Sequence, residues 1–282
     1  MPLVKAKIRV GHSPDPDDAF MFYAIAHGKI KTDGITFSHV IEDIESLNKR
    51  AFASELEVTA LSAFAFFQVA GKYALMPCGA SVGNNYGPIL VAKNPVYAKE
   101  LKGKKIAVPG LHTTAYLALR LFLDDFKEVV VGFDKILEAV ESGRVDAGLI
   151  IHEGQLTYKK LGFNKVADLG EWFYEMTKLP LPLGVDAIRK NLGRDVMRKV
   201  TRLLKDSIEY GLKNREEALK YAMKFGRGIE TGTADEFVGM YVNGHTVEMG
   251  RKVKEGLMTL QRAAIDSGLL KDAAKIEFVD MN

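Results

Sequence analysis

Short runs rich in β-branched and apolar residues alternate along the chain with longer runs whose apolar positions recur every three or four residues. That alternation predicts a mostly parallel sheet flanked by helices. Lys7–Val10 reads as the first strand. Asp17 or Asp18 then caps a helix with Ala19, Phe22, Tyr23 and Ala26 on one stripe, and Gly28 stops it. Ile35–Ile41 alternates as a strand, Ile44–Phe52 is helical, and Val58–Leu61 is a short buried strand. Ser62 opens an apolar helix over Ala63–Ala70, and Tyr73–Met76 and Ile89–Ala92 are further strands.

A second unit begins near Asn94-Pro95. Lys104–Val108 is its first strand, and Pro109-Gly110 leads to Thr113 and Thr114. The helix that follows sets Leu119, Phe122, Leu123 and Phe126 on one face. Val129–Val131 is a strand, Asp134–Ser142 a helix, and Ala147–Ile151 a strand ending at His152. From Val185 the chain reads as nearly all helical and richly charged. The predicted organisation is therefore a first lobe over 1–92, an inserted βαβ lobe over 93–184, and a helical return over 185–282 packed on the first lobe. Hinges are expected near Lys93 and Pro180–Gly184, with ligands between the lobes at strand carboxyl ends and helix amino ends.

Composition narrows the function classes. The chain has 282 residues, 47% hydrophobic and 27% charged, as in an ordinary globular protein. Its 39 basic and 36 acidic residues are interspersed, with no basic tract to follow a phosphate backbone, so nucleic acid is not an expected partner. No apolar run approaches the roughly 20 residues of a membrane helix. The start, MPLVKAKIRVGHS, reads as a strand and not as a signal peptide, which implies a cytoplasmic protein. Cys78 is the single cysteine, excluding an intrachain disulfide.

Four segments place polar or small residues directly after buried strands. Ser13-Pro14-Asp15-Pro16-Asp17-Asp18 has the chemistry of a turn and helix cap, with Ser13, Asp15 and Asp18 as candidate loop contacts. Ala60-Leu61-Ser62 ends a strand; Ser62 suits a helix cap, and the same hydroxyl and the amides behind it suit a carboxylate. Thr113-Thr114-Ala115 follows a glycine turn into a helix, which equally suits a cap or an anion site. It is neither a Walker loop nor a dinucleotide fingerprint. Gly148-Leu149-Ile150-Ile151 implies a doubly buried strand, with His152 where it leaves the sheet. A lone histidine is more often structural than catalytic, but this position is where such folds place chemistry. The other histidines, His12, His27, His39, His112 and His245, form no metal-binding set, so no metal site is expected.

Read in order, these segments resemble a known family. Ser13-Pro14, Pro16, Asp18 and Phe20, then Glu42-Asp43-Ile44-Glu45, Leu47-Asn48, Leu61-Ser62, Thr113-Thr114-Ala115, His152-Glu153-Gly154-Gln155-Leu156-Thr157-Tyr158 and Leu179-Pro180-Leu181-Pro182-Leu183-Gly184 are similar to the 1,4-dihydroxy-6-naphthoate synthases of the futalosine route to menaquinone. The resemblance implies a type II periplasmic-binding-protein-like α/β fold, two mixed sheets flanked by helices with a cleft between lobes, used as a lyase. It implies conversion of cyclic de-hypoxanthine futalosine, a small carboxylate, with His152 as proton acceptor and no cofactor. Ala60, Leu61, Ser62, Thr113, Thr114 and Ala115 become the expected substrate contacts. The first motif departs from the usual Ser-Pro-Cys-Pro-Asn-Asp by being acidic here. The sibling chorismate dehydratase and a solute-binding protein for a small carboxylate are the alternatives. A membrane partner is not expected, and a homodimer stays open.

Overall fold

The computed structural model describes residues 5–226, 228–272 and 275–281. The chain divides into two compact units. The first takes the chain up to Ser81, Gly184–Arg251 and the C-terminal end; the second takes Val82–Leu183 and a return that begins at Lys252.

In chain order the first unit starts with β1 (Ala6–His12), α1 (Pro16–Ala26), β2 (Ile35–Ile41), α2 (Ile44–Phe52), β3 (Val58–Ser62), α3 (Ala63–Val69) and β4 (Tyr73–Leu75). The short β5 (Ser81–Gly83) leads into the second unit. There follow β6 (Ile89–Ala92), β7 (Lys105–Val108), α4 (Thr114–Phe122), β8 (Lys127–Val130), α5 (Ile136–Glu141), β9 (Ala147–Ile150), α6 (Gly154–Thr157), β10 (Asn164–Asp168) and α7 (Leu169–Thr177). β11 (Leu181–Arg189) returns the chain to the first unit for α8 (Arg194–Lys213), α9 (Arg215–Ala222), α10 (Thr231–Tyr241) and α11 (Gly244–Val247). α12 (Arg251–Asp266) goes back to the second.

The first sheet has the order β2-β1-β3-β11-β4, with β5 also on β11. β1 is parallel to both β2 and β3, so the carboxyl ends of all three share one edge. Ile8, Val10, Val58 and Ile188 of the sheet bury one face against Phe20 and Phe22 of α1 and Val200, Leu204 and Ile208 of α8. The second sheet has the order β10-β6-β9-β7-β8. There β7 is parallel to β8 and β9, which again brings three strand ends to one edge. Val91, Ala107 and Ile150 pack with Ile136 and Val140 of α5.

Several expectations are corrected. β1 runs on to His12, because its whole length pairs with β2. The cap of α1 is Asp15, with Pro16 in its first turn, and not Asp17 or Asp18. Residues from Val185 do not begin a helix: they lie in nine-residue β11, clamped antiparallel between β3 and β4, and helix resumes at Arg194. Long-range pairing here overrides local pattern. The unit boundary falls at Val82, ahead of the expected 93, since β6 pairs with β9 and β10. The return is split as well, because α12 joins the second unit.

Candidate functional site

In the first unit the loop after β1 is tied to its own helix. The Ser13 backbone N–H donates to Asp18 Oδ2 at 2.6 Å, and Ser13 Oγ donates to Asp15 Oδ2 at 3.1 Å. Asp15 caps α1 by position and makes no side-chain capping bond. Ser13, Asp17 and Asp18 are buried in this turn. At the neighbouring strand end, Ser62 stands at the cap position of α3 without capping it. Its hydroxyl instead accepts from Asn48 Nδ2 at 3.1 Å, and its N–H donates to Asn48 Oδ1 at 3.0 Å. Asn48 sits on α2, fully buried, and α2 is held in place by Asp43, whose carboxylate accepts from the Ser46 N–H at 3.0 Å. Leu61 is fully buried and Ala60 nearly so.

Burial sets the electrostatics of this edge. Desolvation pulls His12 down to about 4, with a smaller push from His39 against the favourable Ser13 carbonyl. The ring lies on Phe22, centroids 4.8 Å apart, and its Nε2 is 3.1 Å from His39 Nδ1. Desolvation raises Asp18 to about 6, opposed by its bonds to Ser13 and aided by Asp15. Asp17 is raised as well, by burial and then by Asp18 and Asp15.

In the second unit the parallel ends of β7, β8 and β9 carry the remaining candidates. Thr113 caps α4: its Oγ1 accepts from the Tyr116 N–H at 3.1 Å and donates to the Gly110 carbonyl at 3.0 Å. Thr114 Oγ1 donates to the Leu183 carbonyl at 2.7 Å. Thr114 and Ala115 occupy the first turn, where N–H groups have no acceptor within their own helix and the dipole is positive. His152 follows β9, only 8% exposed. Its Nε2 lies 3.0 Å from the Phe133 carbonyl, and the Gly154 N–H donates to its Nδ1 at 2.9 Å. A carbonyl accepts and an amide donates, so the ring is neutral with its proton on Nε2. Glu153 Oε2 is 3.8 Å from Nδ1. A Cβ on residue 154 would sit 2.6 Å from His152 Cε1, so only glycine lets the imidazole lie there.

Ser13, Asp15 and Asp18 thus form one cluster beside Ala60–Ser62, and Thr113–Ala115 share a sheet edge with His152. The first group belongs to one unit and the second to the other. Sequence reasoning gave no role to Asn48, to the Phe133 carbonyl or to Asp186. Asn48 had a signal, the Leu47-Asn48 pair within an otherwise ordinary helix; a carbonyl has none. Among the described residues no helix is long and apolar enough to cross a membrane.

Comparison with known proteins sharpens this picture. Residues 8–266 match a family described as "Menaquinone biosynthesis". The chain is 38% identical to a 1,4-dihydroxy-6-naphthoate synthase of Thermus thermophilus, covering 96% of this chain and 99% of the relative. A Streptomyces coelicolor protein of the same name is 33% identical, covering 93% and 94%. A crystal structure of an Archaeoglobus fulgidus protein superimposes with a TM-score of 0.90 at 49% identity, covering 94% of this chain and 98% of that one. The alkanesulfonate-binding protein SsuA of Xanthomonas axonopodis pv. citri, bound to MOPS, aligns at 0.71 with 13% identity, covering 98% and 97%. The fold is therefore periplasmic-binding-protein-like.

Proposed function

The chain belongs to the menaquinone-biosynthesis family, and on that premise we propose that it converts cyclic de-hypoxanthine futalosine into 1,4-dihydroxy-6-naphthoate, with His152 as the proton acceptor. The observation that carries this reading is the near full-length match to two relatives that both bear the naphthoate synthase name. The substrate has a benzoate-type carboxylate, and the helix start at Thr113, Thr114 and Ala115 supplies amides and a positive dipole end suited to it. Ser62, held by Asn48, offers a hydroxyl proton not committed to that partner, since its oxygen is the acceptor there.

In this reading His152 takes a proton from the substrate. The carbon–carbon bond beside a carbonyl then breaks, the carbonyl oxygen receives the electron pair, and aromatisation drives release of the sugar-derived fragment. Histidine suits such a step near neutral pH. Because Nε2 already carries the proton it gives to the Phe133 carbonyl, Nδ1 is the basic nitrogen, and His152 gives up the bond from the Gly154 N–H as it takes the substrate's proton. The class of such a reaction is a lyase.

Incubation of the purified protein with the futalosine derivative, followed by absorbance of the naphthoate product, tests the proposal. Turnover supports it. No turnover, with chorismate dehydrated instead, would make the protein the sibling enzyme. Binding of a small anion with no turnover of either substrate would leave a solute-binding protein, the role that SsuA has on this fold.

A further inference from the structure

Asp186 lies on β11, opposite Ala60 of β3 and two residues from Gly184, which pairs with Ser62. It is 1% exposed, and neither carboxyl oxygen has a hydrogen-bond partner among the described residues. Its carboxyl is pressed on the Cα side of Gly79, where an added Cβ would come 2.0 Å from Oδ2 and where φ is +83°. Gly79 is itself pinned, its N–H donating to the Thr246 carbonyl at 2.7 Å. Among the described residues the charge that acts on Asp186 is Asp18, from the first turn of α1. Cys78 is the other titratable neighbour, a buried thiol pushed up by desolvation and then by Asp186. Lys205 and Asp206 of α8 act on Cys78, and neither acts on Asp186.

An ionised carboxylate in such a place has no donor and no cation, which costs more than holding a proton. Two buried carboxyl groups that act on each other also resist ionising together. Their surroundings decide which one does: Asp18 accepts the Ser13 N–H at 2.6 Å, whereas neither Asp186 oxygen has a hydrogen-bond donor among the described residues. We propose that Asp186 is a positioning residue held as a carboxylic acid, whose proton lets Asp18 stay a carboxylate and anchor Ser13 at the end of β1. The proton is thereby linked to the geometry of the Ser13–Asp18 loop and, through the Asp186–Ala60 and Gly184–Ser62 pairs, to the neighbouring strand end. Raising the pH until Asp186 ionises puts two charges into one buried space. Asp18 then releases Ser13, or the segment at Gly79 moves to admit water. The link to activity rests on the reading in which this loop and Ala60–Ser62 meet the substrate.

The test begins without substrate, so its failure is distinct from failure of the proposed reaction. Infrared spectra at about pH 7 are compared for the wild type, D186N and D18N. The carbonyl stretch of a protonated carboxylic acid is expected in the wild type, weaker in D186N and undiminished in D18N. A band of equal strength in D186N, or one lost in D18N alone, overturns the assignment. Melting temperatures add a second arm: moving from about pH 5 to about pH 8, the wild type falls relative to D186N by on the order of 5 °C. No such difference, or a D186N protein that is the less stable at the higher pH, overturns it. With substrate, KM rises with pH in this range for the wild type and stays level in D186N. A parallel rise in both removes Asp186 from the positioning of the loop.

Discussion

Gly154 supports His152 by having no side chain. The imidazole occupies the space a Cβ would need, and the Gly154 N–H holds its Nδ1. Gly154→Ala is expected to turn the ring, lowering kcat by on the order of 100-fold while leaving melting little changed, because the position suits helix otherwise. An unchanged kcat in that variant would show that the ring orientation seen here is irrelevant to turnover. Asn48 has the complementary role of satisfying both polar atoms of Ser62 in a buried site. Asn48→Ala strands two buried groups and is expected to cost about 1–3 kcal/mol in denaturant unfolding, with KM raised as well. A cost near zero would mean that other groups or water replace the amide.

At the scale of elements, the start of α4 combines a structural cap with the anion-suited amides behind it. Thr113→Ala removes the acceptor for the Tyr116 N–H and is expected to cost about 1 kcal/mol, restored by Thr113→Ser. Thermal melting of the pair checks this, and an equal loss in the serine variant would contradict the cap. This segment is legible in the sequence because a glycine turn, two threonines and an apolar helical stripe are all local signals. β2, α2 and β6 are read with their observed bounds for the same reason. β11 is not legible: Pro182, Gly184 and Asp186 interrupt its apolar pattern, and the strands that clamp it, β3 and β4, lie far back along the chain. His152 is readable from the Leu149-Ile150-Ile151 run before it, but the carbonyl and amide that fix its tautomer carry no side-chain signature. Asp186 is hidden for the reason β11 is, since its burial comes from pairing and not from its neighbours in sequence.

For the molecule as a whole, the buried titratable groups oppose one another: His12 favours the folded chain as pH rises, and the buried aspartates favour it as pH falls. His12 titrates at about 4 in the folded chain, below the ordinary histidine value. Its contribution is present above the ordinary value and is lost as pH falls toward 4, by about 3 kcal/mol at most. Asp18, raised to about 6, works in the opposite sense: its contribution is complete below the ordinary aspartate range and is lost as pH rises through 6. As pH falls from about 6.5 to about 4, denaturant unfolding is expected to show the wild type losing stability relative to His12→Gln, and an equal pH dependence of the two proteins would contradict this. The proposed reaction rests on family membership and on the two relatives that bear the naphthoate synthase name, and His152 is proposed as its base. The most direct test is turnover of cyclic de-hypoxanthine futalosine by the wild type and by His152→Ala, with naphthoate absorbance as the signal and circular dichroism as the control. The account predicts product from the wild type and none from a normally folded His152→Ala. Full activity in that variant, or no product from the wild type, would contradict it.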